Sequence, residues 1–183
     1  RAAGSETAIQ AATIRQSAES LLTILNDILD FSKIEAGRLE LEESEVQPDE
    51  LAARIESVHA LKARERGLAF SIRVDPPGAA PRRGDPHRVL QVLHNLVSNA
   101  VKFTEAGEVR VTISGSADAP LVIGVADTGI GMTAEQIDRV FESFAQADAT
   151  TARAYGGTGL GMSIVKQLVE LMGGSISLDT APG

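Results

Sequence analysis

Two asparagines stand four residues apart in Asn95-Leu96-Val97-Ser98-Asn99, and on a helix they would share one face. They read equally as surface amides or as ligands, since an amide oxygen is a suitable hard donor for Mg²⁺, whose shell is filled by water and phosphate oxygens. Lys102 follows three residues on, on the same face, where it could reach a phosphate. A second segment, Asp127-Thr128-Gly129-Ile130-Gly131, comes after an apolar run. It is either a strand-ending turn or a carboxylate at a strand's end that accepts a hydrogen bond from a ligand amino group, with glycines that let the backbone come close. A third, Gly156-Gly157-Thr158-Gly159-Leu160-Gly161, opens a helical pattern. Four glycines in six residues are destabilising unless used, and the exposed amides and dipole of a helix start attract phosphate. It is not a P-loop, because no Gly-Lys-Ser/Thr follows. It is also a poor dinucleotide fingerprint despite Asp179 about twenty residues on, because no strand leads into it.

These segments must be held by regular elements. Residues 8 to about 36 read as one long helix, with Ala11, Ile14, Ala18, Leu21, Leu25 and Ile28 at spacings of three and four and Leu22, Ile24, Leu29 and Phe31 widening the stripe. So broad a stripe suits a four-helix bundle with helices from outside this chain, although packing on its own domain is the alternative. Gly37 ends that helix, and Leu39-Glu40-Leu41-Glu42 alternates like a short strand. Pro48 opens a helix with Leu51, Ile55, Val58 and Leu61, closed by Gly67; Phe70–Val74 is a strand; Asp75-Pro76-Pro77-Gly78 is a turn. Asp85-Pro86 caps a helix to about Phe103, Val109–Ile113 and Leu121–Ala126 are strands, and Thr133 with Gln136 makes a capping box for a short helix to about Val140. A last helix spans about Gly159 to Met172 and a strand Ser175–Leu178. This mixture predicts an α+β fold, a two-layer sandwich of a mixed sheet against helices, preceded by the long helix of a dimeric four-helix bundle. The expected division is residues 1–45 for that helix and its linker and 46–183 for the domain.

Composition narrows the chemistry. The 183 residues include no cysteine, which excludes a disulfide framework and thiolate chemistry. Apolar runs are short, far from the ~20 residues of a membrane span, and no signal peptide opens the chain. A cytoplasmic setting is expected, with no membrane contact by this segment. The net charge of −8 is uneven: residues 1–50 hold 4 Lys and Arg against 11 Asp and Glu, leaving 13 against 14 in residues 51–183. Neither part has the basic excess of a nucleic-acid surface. Of five Phe and one Tyr, Phe103, Phe141, Phe144 and Tyr155 follow residue 100.

Taken in order, Asn95 through Asn99-Ala100-Val101-Lys102-Phe103, Asp127-Thr128-Gly129-Ile130-Gly131-Met132, Phe141-Glu142-Ser143-Phe144 and Gly157-Thr158-Gly159-Leu160-Gly161 resemble the four boxes of a sensor histidine kinase catalytic domain, of the GHKL group of ATP-binding folds. Asn26-Asp27-Ile28-Leu29-Asp30-Phe31-Ser32-Lys33-Ile34-Glu35-Ala36-Gly37 resembles the end of that family's second dimerisation helix and its exit. The resemblance runs from about Ile14 to Gly174.

The resemblance implies that Asn99 holds Mg²⁺ and Asn95 supports the metal–triphosphate end, that Lys102 meets phosphate, and that Phe103 packs near the nucleotide. It further implies that Asp127 takes the adenine amino group in a pocket shaped by Gly129 and Gly131. Phe141 and Phe144 would anchor a lid, and Gly157, Thr158, Gly159, Leu160 and Gly161 would close on the phosphates of ATP. Gyrase-like and chaperone ATPases resemble one another in carrying a Glu where Asn95 stands; an amide is no general base, so transfer to a protein acceptor is expected over hydrolysis, with Asn95 and Lys102 the catalytic residues. The family's acceptor histidine, in a His-Glu/Asp-x-Arg-x-Pro context, has no match at His59, His87 or His94. His59 and His87 read as partly solvated helix residues, while His94 borders the proposed site. The expectation is therefore a piece of a longer kinase without its acceptor helix and last strand. Its partners would be a second copy through the N-terminal helix, that histidine-bearing helix, and a response regulator or receiver domain. The alternatives are an ATP-binding sensing module without transfer, or a dimerisation module.

Overall fold

The computed structural model describes residues 2–76, 80–116, 119–143 and 159–182; within the first helix, side chains are described from Gln10 onward except those of residues 12, 16 and 20. The chain forms two compact units that divide between Leu39 and Glu40. The first is one helix, α1 (Ala2–Glu35), with Lys33 in its last turn. Gly37 ends it: φ there is +62°, its N–H bonds to the Ile34 carbonyl at 2.9 Å, and the Arg38 N–H bonds to that of Lys33 at 2.8 Å. This is the paired, left-handed helix end that glycine permits. Leu21, Leu22, Leu25, Ile28 and Leu29 are all exposed along α1.

The second unit begins with β1 (Ser44–Val46), which pairs antiparallel with β3 (Arg82–Gly84). The strand expected at Leu39–Glu42 therefore sits a few residues later, where Val46 is buried against the core. β3 itself was not expected, because Arg-Arg-Gly carries no strand propensity and the partner strand alone recruits it. Between them lie α2 (Pro48–Glu65) and β2 (Ala69–Val74). α2 starts at a proline, has Asp49 and Glu50 in its first turn and Lys62 and Arg64 in its last, and so opposes its own dipole at both ends. Leu51, Ile55, His59 and Ala63 form its buried stripe.

α3 (Pro86–Phe103) begins at Asp85, whose carboxylate accepts the Arg88 N–H at 3.0 Å, and it buries Leu90, Leu93, Val97, Ala100 and Val101. β4 (Glu108–Ser114) runs parallel to β2 and antiparallel to β5 (Val122–Asp127), giving a mixed sheet in the order β2-β4-β5. α2 and α3 pack on this sheet, and Val109, Val111 and Ile113 of the central strand are fully buried beneath them. α4 (Ala134–Arg139) has the expected capping box: the Gln136 N–H donates to Thr133 Oγ1 at 3.3 Å and the Thr133 N–H to Gln136 Oε1 at 2.9 Å. α5 (Gly161–Leu171) packs on α3 through Ile164, Val165 and Leu168, all buried. The strand expected at Ser175–Leu178 does not form, since no neighbouring strand pairs with it among the described residues. The α+β architecture stands: a mixed sheet layered against helices, with a long helix ahead of it. Among the described residues no helix is long and apolar enough to cross a membrane.

Candidate functional site

Three elements carry the candidate residues. α3 supplies Asn95, Asn99 and Lys102, all half-buried. Asn95 lies against the first turn of α5, so closely that a Cβ on Gly161 would come 3.2 Å from its Oδ1. A glycine at 161 thus lets the amide and the start of α5 share the space. Two turns on, Lys102 places its ammonium 4.8 Å from the centroid of the Phe103 ring. Burial lowers the pKa of that ammonium, because a desolvated cation is disfavoured; an anion placed beside it would reverse the penalty.

The last residue of α3 also anchors the second segment. The Phe103 carbonyl accepts the Ile130 N–H at 3.3 Å, and a Cβ on Gly129 would lie 2.7 Å from that carbonyl oxygen. Asp127, exposed at the end of β5, has its Oδ1 occupied by the Gly129 N–H at 2.9 Å. This short loop therefore fixes the carboxylate's rotation and presses its backbone on the end of α3. Gly131 has a φ of +64°, and the backbone of Ala181 occupies the place a Cβ would take. Thus the glycines at 129 and 131 are demanded by close backbone approach.

The remaining residues are arranged around α5. Gly159 takes a φ of +70° and Leu160 is buried at the helix start, with its carbonyl accepting the Ser163 hydroxyl at 2.9 Å. Phe141 is half-buried, and the Lys166 ammonium of α5 stands 5.9 Å from its ring centroid. Phe144, Gly157 and Thr158 lie outside the described residues. The structure thus joins Asn95 to Gly161, Phe103 to Gly129 and Ile130, and Phe141 to α5.

The histidines correct one expectation. His87 is exposed, but His59 is only 4% exposed, because its ring turns inward to meet that of His94, Nε2 to Nδ1 at 3.0 Å. Burial, then the neighbouring His94 and Lys62, lower the pKa of His59 to about 4. Burial and Lys62 lower that of His94 as well. Nothing in the local sequence marks this pair, since the partners are 35 residues apart. Asp85 does more than cap α3: its second oxygen accepts the Glu42 N–H at 3.0 Å, a bond that the capping signal alone does not reveal.

Residues 84–183 match the family described as histidine kinase-, DNA gyrase B-, and HSP90-like ATPase. The chain is similar to the autoinducer 2 sensor kinase/phosphatase LuxQ of Vibrio cholerae, 41% identical over 94% of this chain and 20% of that protein. It is also similar to the signal transduction histidine-protein kinase BarA of Escherichia coli, 40% identical over 93% of this chain and 19% of that protein. It spans, then, about a fifth of the length of the curated relatives it matches. Among solved structures, full-length ShkA in complex with AMPPNP aligns with a TM-score of 0.77 at 33% identity, over 93% of this chain and 35% of that one. The catalytic domain of the histidine kinase ThkA aligns at 0.61 and 26%, over 72% and 82%. The chain belongs to the histidine kinase-, DNA gyrase B- and HSP90-like ATPase family.

Proposed function

We propose that this chain binds Mg-ATP and directs its γ-phosphate to a histidine on a dimerisation helix, for onward transfer to a response regulator or receiver domain. The observation that carries this reading is the docking of the Asp127 loop on Phe103, which brings that carboxylate to the end of the helix that bears Asn95, Asn99 and Lys102. The ShkA structure, with its bound adenine nucleotide analogue, supports the ligand class.

In this reading the free oxygen of Asp127 accepts the adenine amino group, and Phe103 lies beside the base. Lys102 takes a phosphate, Asn95 supports the triphosphate, and the segment with Gly157, Thr158, Gly159, Leu160 and Gly161 closes over it, with Phe141 and Phe144 anchoring the lid. Among the described residues no cluster of three or more His, Asp or Glu side chains could cage a metal. A single amide oxygen from Asn99, completed by phosphate and water, fits Mg²⁺, which would neutralise charge on the triphosphate. Because position 95 is an amide, no base there activates water, which favours transfer to a protein acceptor over hydrolysis. His59 and His94 are sequestered with each other, which favours an acceptor elsewhere than in these residues.

The exposed leucine stripe of α1 is the face for a second copy and for the histidine-bearing helix. The work is cytoplasmic, where ATP is supplied, and the acidic balance disfavours nucleic acid. Nucleotide titration tests the site: Asp127→Ala should lose ATP affinity, and equal affinity would remove the pocket. The longer protein incubated with γ-labelled ATP should gain an acid-labile, base-stable label on a histidine. Binding without any label would instead support a sensing module, and label on His59, His87 or His94 would overturn the acceptor assignment.

A further inference from the structure

Thr128 has no part in the assignments above, yet its side chain spans two segments. Its hydroxyl accepts the Glu108 N–H at 3.0 Å and donates to the Ala106 carbonyl at 3.1 Å. Its own N–H bonds to the Glu108 carbonyl at 3.1 Å. Position 107 must be glycine for this to happen: its φ is +108°, and a Cβ there would lie 2.1 Å from the threonine oxygen. The turn that follows α3 and the loop that follows β5 are thereby locked through one hydroxyl.

Asp127 sits at the near end of that lock. Its Oδ1 is held by the Gly129 N–H, and beyond it the Ile130 N–H holds the Phe103 carbonyl. A carboxylate with one oxygen occupied and its backbone pinned on both sides presents the other oxygen in one direction. Such an acceptor separates purines sharply, because adenine offers an amino donor at position 6 where guanine offers a second acceptor. A site built to take a donor rejects the analogue that lacks it, provided the acceptor cannot turn or retreat.

We propose that Thr128 is a positioning residue for purine selection: its hydroxyl clamps the Asp127 loop to the 104–108 turn and so holds the carboxylate where a 6-amino purine fits and a 6-oxo purine does not. This rests on the reading of Asp127 as the base acceptor. Loss of the clamp lets the carboxylate yield, so guanine nucleotides gain relative to adenine nucleotides.

The test compares ATP and GTP affinities by calorimetry on the whole chain. The wild type should prefer ATP. Thr128→Val, which keeps the shape and removes the hydroxyl, should narrow the ATP-to-GTP ratio by roughly five- to tenfold, the scale of one ordinary hydrogen bond. Thr128→Ser, which restores the hydroxyl, should return the ratio. Because Thr128 is exposed, the valine variant should melt close to the wild type. If it does not fold, Gly107→Ala displaces the hydroxyl from the other side and should narrow the ratio in the same way. An unchanged ratio in these variants, an equal fall in both affinities, or failure of serine to rescue would overturn the clamp. A wild type without preference, or a preference that survives Asp127→Asn, would instead overturn the base-acceptor reading beneath it.

Discussion

The imidazole of His59 on α2 meets that of His94 on α3 across the helix interface, Nε2 to Nδ1 at 3.0 Å, with ring centroids 5.2 Å apart and planes inclined by 43°. Such a pair needs one N–H and one bare nitrogen at the contact, and because it joins an Nε2 to an Nδ1, two neutral rings meeting there carry the same tautomer. A proton on the bare nitrogen would set two N–H groups against each other and place a cation beside Lys62.

The pair makes the domain acid-sensitive. The folded pKa of His59, about 4, lies below its ordinary 6.5, so the unfolded chain binds the proton more readily. Stability is therefore fully present above pH 6.5 and is lost progressively as pH falls towards 4. At about 1.4 kcal/mol per pKa unit the loss is limited to roughly 3 kcal/mol. Urea midpoints at pH 7.5, 6 and 5 should fall for the wild type and fall less steeply for His59→Gln. Parallel profiles would show that other groups carry the acid response.

Asp85 holds two backbone donors, Arg88 N–H and Glu42 N–H, while only 4% exposed. Asp85→Ala leaves both without their acceptor and should cost about 2 kcal/mol, a lost cap plus a lost tether. Chemical denaturation measures this. A cost no larger than a few tenths of a kcal/mol would mean that water replaces the carboxylate.

The two glycines at 129 and 161 should differ in their tolerance of alanine. At 129 the new Cβ would fall 2.6 Å from Asp127 Oδ1 and 2.7 Å from the Phe103 carbonyl, so backbone must shift. At 161 it meets a side-chain oxygen at 3.2 Å, which a small movement of Asn95 relieves. Calorimetry with ATP should thus show binding reduced by more than tenfold in Gly129→Ala, the effect of about 1.4 kcal/mol, and a milder loss in Gly161→Ala. The reverse order would contradict the placement of the Asp127 loop.

Leu25 lies mid-way along the exposed stripe of α1, 47% exposed. If that stripe seats a second copy, Leu25→Arg buries a charge in the interface and should convert a dimer to a monomer, read by light scattering after size exclusion. Retention of the dimer would place the interface elsewhere.

Much of this was visible in the chain. α3 announced itself through Asp85-Pro86 and its apolar stripe, and the capping box of α4 through Thr133 and Gln136, because local signals act within one turn. The candidate residues Asn95, Asn99 and Asp127 stood out as ordered motifs, and the structure carries the two asparagines on α3 and docks the Asp127 loop on that helix's last residue. What escaped were relations between distant segments. β3 exists because β1 reaches it, His59 is buried because His94 faces it, and Thr128 matters because Gly107 makes room. No spacing within one segment encodes such pairings; tertiary contact does.

The bond from Glu42 to Asp85, reinforced by β1 pairing with β3, has a mechanical meaning. The chain leaving Leu39 is fastened at the root of α3 before it reaches any other helix of its domain. α3 is a stiff rod of 18 residues, about 27 Å long, with Lys102 and Phe103 at its tip. A displacement at Glu42 would therefore bear first on the N-terminal end of α3, the helix whose far end carries Lys102 and Phe103.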